Sequence, residues 1–184
     1  MAASVYPRRH RITTAEFQRM IEAGVFAEDD RLELIEGEIF EMAPVGTRHA
    51  ECVSRLVRAL VRGSRSLVRV QDPICLSEES QPQPDIAVVK DRNYAQAHPR
   101  PQDVLLLIEV ADTSLAYDRA VKLPLYARYA IPEVWLVDLT QNQIEAYRQP
   151  QPQGYGQKLV AKPGEGIKAV LDPQIQVAVA EVLS

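Results

Sequence analysis

Three acidic positions and one lysine have the types and the order that chemistry could use. Asp85 follows Pro84 directly, Glu109 closes the apolar run from Val104 to Ile108, and Asp118 precedes Lys122 by one helical turn. A carboxylate ending a strand of aliphatics is costly to desolvate unless it meets a cation or a metal. If Asp85 opens one strand and Glu109 closes its antiparallel neighbour, both carboxylates reach the same end of a sheet. Two such groups repel and raise a pKa unless a hard cation such as Mg²⁺ or Mn²⁺ neutralises them with oxygen ligands. A metal held that way polarises a phosphoryl oxygen and supplies activated water. The plainer readings are a turn aspartate, an exposed strand-end glutamate, and a helix-surface pair between Asp118 and Lys122 contributing about 0.3 kcal/mol.

The surrounding elements must place these groups. Thr13 and Glu16 form a capping box for a short helix carrying Phe17, Met20 and Ile21 and ending at Gly24. Residues 31–35 and 38–42 are strand-like on either side of Glu36-Gly37, a hairpin turn, with Glu33 in the first strand. From Thr47 a long amphipathic helix is expected, with Val53, Leu56, Val57, Leu60, Leu67 and Val68 on its apolar side and His49 projecting to that side. Arg48, Arg55, Arg58, Arg62, Arg65 and Arg69 fall on the opposite stripe. Such a stripe is most often a solvated face, and a phosphate backbone is the second reading.

Residues 68–76, 85–90 and 104–110 read as a meander of strands. A helix over 117–129 and a strand over 134–137 complete a crossover, Tyr126 and Tyr129 packing that helix on the sheet. Residues 144–147 predict another strand, 149–154 a proline-rich loop, and Ile175, Val177 and Val179 alternate as terminal strands.

With 184 residues and 46% hydrophobic content, one domain over 1–184 with a substantial core is expected. A formal net charge of −4 argues against a generally basic coat, so a polyanion partner must meet a local patch. Cys52 and Cys75 are too few for a disulfide framework, and no run reaches membrane-spanning length. The first twenty residues lack the apolar segment of a secretion signal, so a cytoplasmic protein is expected.

The ordered set of Pro84-Asp85, Glu109 and Lys122, with a helix before and a helix and strand after, resembles the PD-(D/E)XK nuclease superfamily. The nearest likeness is to its Uma-type endonuclease branch. That branch has an acidic hairpin like residues 33–38, a histidine like His49 and a Gln-x-Pro-Asp stretch that Gln83 to Asp85 resembles as Gln-Pro-Asp. It also has Glu-Val like Glu109-Val110, an aspartate, lysine and tyrosine like Asp118, Lys122 and Tyr126, and a Pro-Glu-x-Trp-x-Val-Asp run like residues 132–138. The likeness covers most of residues 13–147.

It implies an α/β restriction-endonuclease-like core: a central mixed sheet flanked by helices, with an N-terminal hairpin and extra C-terminal strands. It further implies that Asp85 and Glu109 bind Mg²⁺ or Mn²⁺, that the Val110 carbonyl adds a ligand, and that Lys122 assists water or the transition-state charge. Glu33 and His49 are auxiliary candidates. The implied reaction is phosphodiester hydrolysis of DNA, and a homodimer is expected because cutting both strands takes two sites. Two departures stand out: Ala111 occupies the place of the superfamily's strand lysine, and Pro124 interrupts the helix carrying Lys122. The rival is a nucleic-acid-binding or protein-interaction module that keeps the fold with a weakened site.

Overall fold

The computed structural model describes residues 8–63 and 65–183; residues 1–7, 64 and 184, counted above within one domain, lie outside them. Runs of Val, Ile and Leu build a six-stranded mixed sheet in the order β3-β4-β5-β6-β7-β8. Its strands are β3 (Leu67–Val70), β4 (Ile86–Val89), β5 (Val104–Ala111), β6 (Glu133–Asp138), β7 (Gln143–Gln151) and β8 (Gly154–Ala161). β5 and β6 run parallel and every other pair is antiparallel. Every residue of β4 and β6 is buried, the pattern of a sheet covered on both faces.

One face packs against α2 (Thr47–Gly63), the β9–β10 hairpin (Gly166–Lys168 with Gln176–Ala178) and α5 (Val179–Leu183). Leu56 and Leu60 meet Ile86, Ile108, Trp135 and Val137 there. On the other face Leu107, Ala111, Val134 and Leu136 meet Ile35, Leu125 and Tyr126. This is the α/β arrangement expected, with extra strands at both ends of the chain. Among the described residues no helix is long and apolar enough to cross a membrane.

The first helix, α1 (Thr14–Glu22), carries the expected reciprocal cap: the Glu16 N–H donates to Thr13 Oγ1 at 3.2 Å and the Thr13 N–H to Glu16 Oε2 at 2.9 Å. Strands β1 (Leu32–Ile35) and β2 (Glu38–Glu41) form a separate hairpin. It docks through a Leu34–Gln81 bridge, the Gly37 N–H donating to Glu79 O at 2.7 Å and Glu36 N–H donating to Ser80 Oγ at 2.9 Å. Phe40 sets its ring 5.8 Å from that of Tyr117.

Several expectations are corrected. α2 ends at Gly63, so Arg65 and Arg69 leave the proposed stripe; Leu67, Val68 and Arg69 instead join β3, where their ladder with β4 satisfies backbone groups the helix would leave unpaired. β3 stops at Val70 rather than continuing to residue 76, because Gln71 takes a positive φ of 52°. Residues 149–154 are not a loop: β7 and β8 run through them with a turn at Pro152-Gln153. Pro150 is tolerated because β6 ends opposite Arg148, leaving that side of β7 with no ladder partner to supply. Val179 begins α5 rather than ending a strand.

Between β5 and β6 the chain runs through α3 (Leu115–Tyr117), a π-helical turn at Asp118–Lys122 and α4 (Leu123–Arg128). The Leu123 N–H bonds Asp118 O, the wider spacing of a π turn, and Pro124 follows directly as the second residue of α4.

At the hairpin turn Gly37 has φ +77°, and a Cβ built there would lie 2.6 Å from Arg11 Cβ and 3.0 Å from Arg11 Cα. Gly37→Val is therefore expected to destabilise the protein by about 2 kcal/mol or more, read as a lower urea midpoint.

Candidate active site

Register brings the predicted acidic pair together. Ile86 pairs with Ile108, so Asp85 and Glu109, the next residues outward, stand at one end of the β4–β5 ladder. The Val110 N–H donates to Asp85 Oδ2 at 2.8 Å, and His49, one turn into α2, donates from Nε2 to the same oxygen at 3.0 Å. Val110's carbonyl leaves the strand on the same side as its N–H, toward Asp85. Among the described residues buried His49 Nδ1 has no hydrogen-bond partner, so its ring is held by Asp85 rather than by a hydrogen bond on its other side. His49, Asp85, Glu109, Val110, Asp118 and Lys122 all line one cleft of about 190 Å³.

Lys122 reaches this cleft from the π turn, and its side chain is almost wholly buried. Its Nζ lies 3.3 Å from Glu109 Oε1 and 3.3 Å from Glu33 Oε2, rather than pairing at the surface with Asp118. The wider π turn is what rotates Lys122 inward despite Pro124. Glu33, 0% exposed, sits behind the cleft: its Oε1 accepts from Tyr117 O–H at 2.9 Å and its Oε2 from Gln83 N–H at 3.2 Å. Tyr126 O–H donates to Glu109 Oε1 at 2.5 Å, and Ser114 O–H to Asp118 Oδ2 at 2.7 Å. All five predicted side chains and the Val110 backbone are thus assembled in one place.

The electrostatics follow from four carboxylates sharing one ammonium. Burial pushes the Glu109 carboxyl up to about 8; Lys122 offsets part of this, while Asp118 and Asp85 add to it. Burial raises Asp118 too, reinforced by Asp85 and Glu33 against the opposing pull of Lys122 and Ser114. Asp85 moves the other way: burial works against its ionisation, but His49, the Val110 N–H and Lys122 outweigh burial and hold it below the usual range. For Lys122, burial favours the neutral amine, yet Glu109, Glu33, Asp118 and Asp85 win and raise its pKa, keeping it protonated.

The sequence profile of the Uma2 family, described as "Putative restriction endonuclease", matches residues 14–180. The chain belongs to the Uma2 family. A crystal structure from Anabaena variabilis, described as "a putative nuclease belonging to DUF820", superposes with a TM-score of 0.70 at 15% identity. The match covers 94% of this chain and 97% of that one, and it shows a shared fold. No curated protein matches this chain in sequence. Uma2 membership and fold together point to a nuclease.

Nucleases of this fold class use divalent metals, and the donor set fits one. Both carboxylates present oxygen, the ligand of hard cations; among the described residues Glu109 Oε2 accepts no hydrogen bond and Asp85 Oδ1 accepts only from Gln71 Nε2 at 3.5 Å. Among the described residues no three His, Cys, Asp or Glu side chains converge on one point.

Tyr117 and Ser114 join the site without having been singled out in the sequence, whereas Gln83 and Tyr126 entered only as parts of the family motifs, Tyr126 with a packing role expected. Tyrosines beside aliphatics on a helix read as core, and nothing in spacing shows that their hydroxyls meet carboxylates. In metal-free protein, unfolded chain releases the Glu109 proton near 4.5 and folded protein near 8, so folded protein binds more protons across that window. Stability should fall as pH rises through it, and Glu109→Gln should flatten the dependence; urea midpoints measured in EDTA at about pH 5 and about pH 8 check this.

Proposed function

We propose that this Uma2 protein is a metal-dependent DNA endonuclease that hydrolyses phosphodiester bonds. The observation that carries the reading is the pairing of two carboxylates at one sheet end, each with an oxygen left over, beneath a buried lysine held charged. Asp85 and Glu109, with the Val110 carbonyl, would hold Mg²⁺ or Mn²⁺. A divalent ion bound there acts as a Lewis acid and lowers the pKa of water.

The chain's own residues do the rest. Lys122 stays protonated, so its part is to stabilise the negative charge that builds on the phosphoryl oxygens rather than to take a proton. Glu33 fixes the ammonium from behind through its 3.3 Å contact, and Tyr117 and Gln83 fix Glu33. His49 and the Val110 N–H hold Asp85 ionised with one oxygen facing the cleft. Lys122 thereby takes over, from the helix, the role of the strand lysine whose place is occupied by Ala111. The reading includes a cytoplasmic homodimer, since two copies supply the two sites that cutting both strands needs.

Purified protein should nick and linearise plasmid DNA with Mg²⁺ or Mn²⁺ and not with EDTA. Asp85→Asn and Lys122→Met should each lower the rate by about 100-fold or more while remaining folded by circular dichroism. Undiminished cutting by Asp85→Asn would sink the proposal, and no cutting by the wild type with either metal would favour the binding module.

A further inference from the structure

Four of the arginines expected on one side of α2 remain within the helix, and their positions fall within about 80° of one another around its axis. They are not equivalent. Arg48 serves the fold, donating to Leu139 O and, at 3.2 Å, to Asn142 Oδ1. Arg55 donates to Glu51 Oε1 at 2.7 Å. Arg58 and Arg62 are exposed, and among the described residues no ion pair or side-chain hydrogen bond engages either guanidinium. An open groove of about 370 Å³ runs beside them, with Arg55, Arg58, Ala59 and Arg62 on the α2 side and Gln176 of β10 and Glu181 of α5 on the other. A smaller hollow lined by Arg48, Glu51, Cys52 and Arg55 against Leu139 and Val182 continues it toward the start of α2, where His49 lines the cleft.

We infer that the phosphate backbone of duplex DNA lies along this groove outside the cleft, with Arg58 and Arg62 each contacting a phosphate. The inference rests on the nucleic-acid reading of the preceding section and adds to it a surface and two residues. Three guanidinium groups face one carboxylate in the groove, in a chain whose formal net charge is −4, so the positive sign is a local one. Arg58 stands three residues after Arg55 and four before Arg62, spacings at which like charges repel and weaken a helix. The arrangement therefore works against α2 unless an anion lies over it.

Chemistry and position both favour phosphate as that anion. A guanidinium keeps its charge and presents a planar fork that matches two phosphate oxygens. From Arg48 to Arg62 the helix rises about 21 Å, the length of about six base steps of B-form duplex. A strand held in the cleft for hydrolysis must continue beyond it, and the groove begins beside the residue that holds Asp85. An acidic protein surface would meet the same charge but has no reason to start at the cleft. Contacts of this kind run to the backbone and carry no base sequence.

The test is fluorescence anisotropy of a labelled DNA duplex titrated with protein in EDTA, so that nothing is cut, over a series of salt concentrations. Wild type, Arg58→Ala/Arg62→Ala, each single alanine variant and Arg58→Lys/Arg62→Lys are compared on two unrelated sequences. Loss of two phosphate contacts should lower the slope of log K against log[salt] by about 1.8, at about 0.9 for each phosphate. The double-alanine variant is expected to show that reduction equally on both sequences, and each single variant about half of it. Its unfolding midpoint should be no lower than that of wild type, because a repulsion has been removed. The double-lysine variant keeps both charges and should keep the wild-type slope. A purely structural role for the arginines would instead lower the unfolding midpoint and leave the slope where it was. An unchanged slope in the folded alanine variants overturns the inference and leaves an acidic protein surface as the partner of this face; absence of duplex binding by wild type at low salt overturns it too. If the slope falls as expected while wild type cuts no plasmid with Mg²⁺ or Mn²⁺, the nuclease reading fails and this one stands.

Discussion

A protonated amine inside a protein must be surrounded by anions, because taking it out of water costs several kcal/mol that only close opposite charge returns. Lys122 imposes that demand here. Glu33 and Glu109 meet it directly and Asp118 and Asp85 at longer range. Much of the local architecture serves this arrangement: the hairpin brings Glu33, the π turn swings the lysine inward, and two tyrosine hydroxyls donate to the same two glutamates, Tyr117 to Glu33 Oε1 and Tyr126 to Glu109 Oε1. The response overshoots, since four carboxylates face one cation. Burial first, and then the neighbouring carboxylates Asp118 and Asp85, give Glu109 its high proton affinity against the opposing pull of Lys122.

The same molecule contains buried carboxylates with no such shortage. Glu133 accepts from Trp135 Nε1 and Arg148 Nε at 2.8 Å each on one oxygen and from the Val170 N–H at 2.7 Å on the other. Glu145 accepts from Arg119 and Lys158 at 2.8 Å on one oxygen and from Tyr147 O–H at 2.6 Å on the other. In both, each oxygen is engaged and a cation is in contact, which is what a carboxylate retained for architecture requires. Asp85 and Glu109 differ by leaving an oxygen apiece facing a cleft. Burial alone therefore does not separate functional from architectural acids.

Much of this was legible in the sequence because it rests on local rules. Thr13 with Glu16, Glu36-Gly37, and the apolar runs before Glu109 and around Trp135 each signal an element whose register follows, and the register places Asp85 beside Glu109. Lys122 was legible as a candidate, but Pro124 obscured its aim, because a π turn has no distinctive sequence pattern. The arginine stripe misled by continuing its spacing through Gly63 into β3, where periodicity persists by coincidence after the helix has ended. Proline-rich residues 149–154 were read from composition as a loop, whereas strand pairing across the sheet edge decided otherwise. Hydroxyl contacts such as Tyr126 to Glu109 depend on the assembled interior and leave no one-dimensional trace.

The hairpin that carries Glu33 belongs to its own two-stranded sheet and is tied to the rest by the short bridge at Leu34 and Gln81 and a few turn hydrogen bonds. Between Glu33 and Tyr117, which it contacts, lie 84 positions of chain, so this closure is among the entropically expensive ones in the molecule. The hairpin adds Ile35 to the core on one face of the central sheet, whereas the core on the other face contains no hairpin residue. A local opening of the hairpin would thus leave the six-stranded sheet intact while removing one of the two anions in contact with Lys122. The anion closest to Lys122 besides Glu109 thus depends on the seating of a small hairpin with its own sheet, and local fraying there removes it without opening the central sheet.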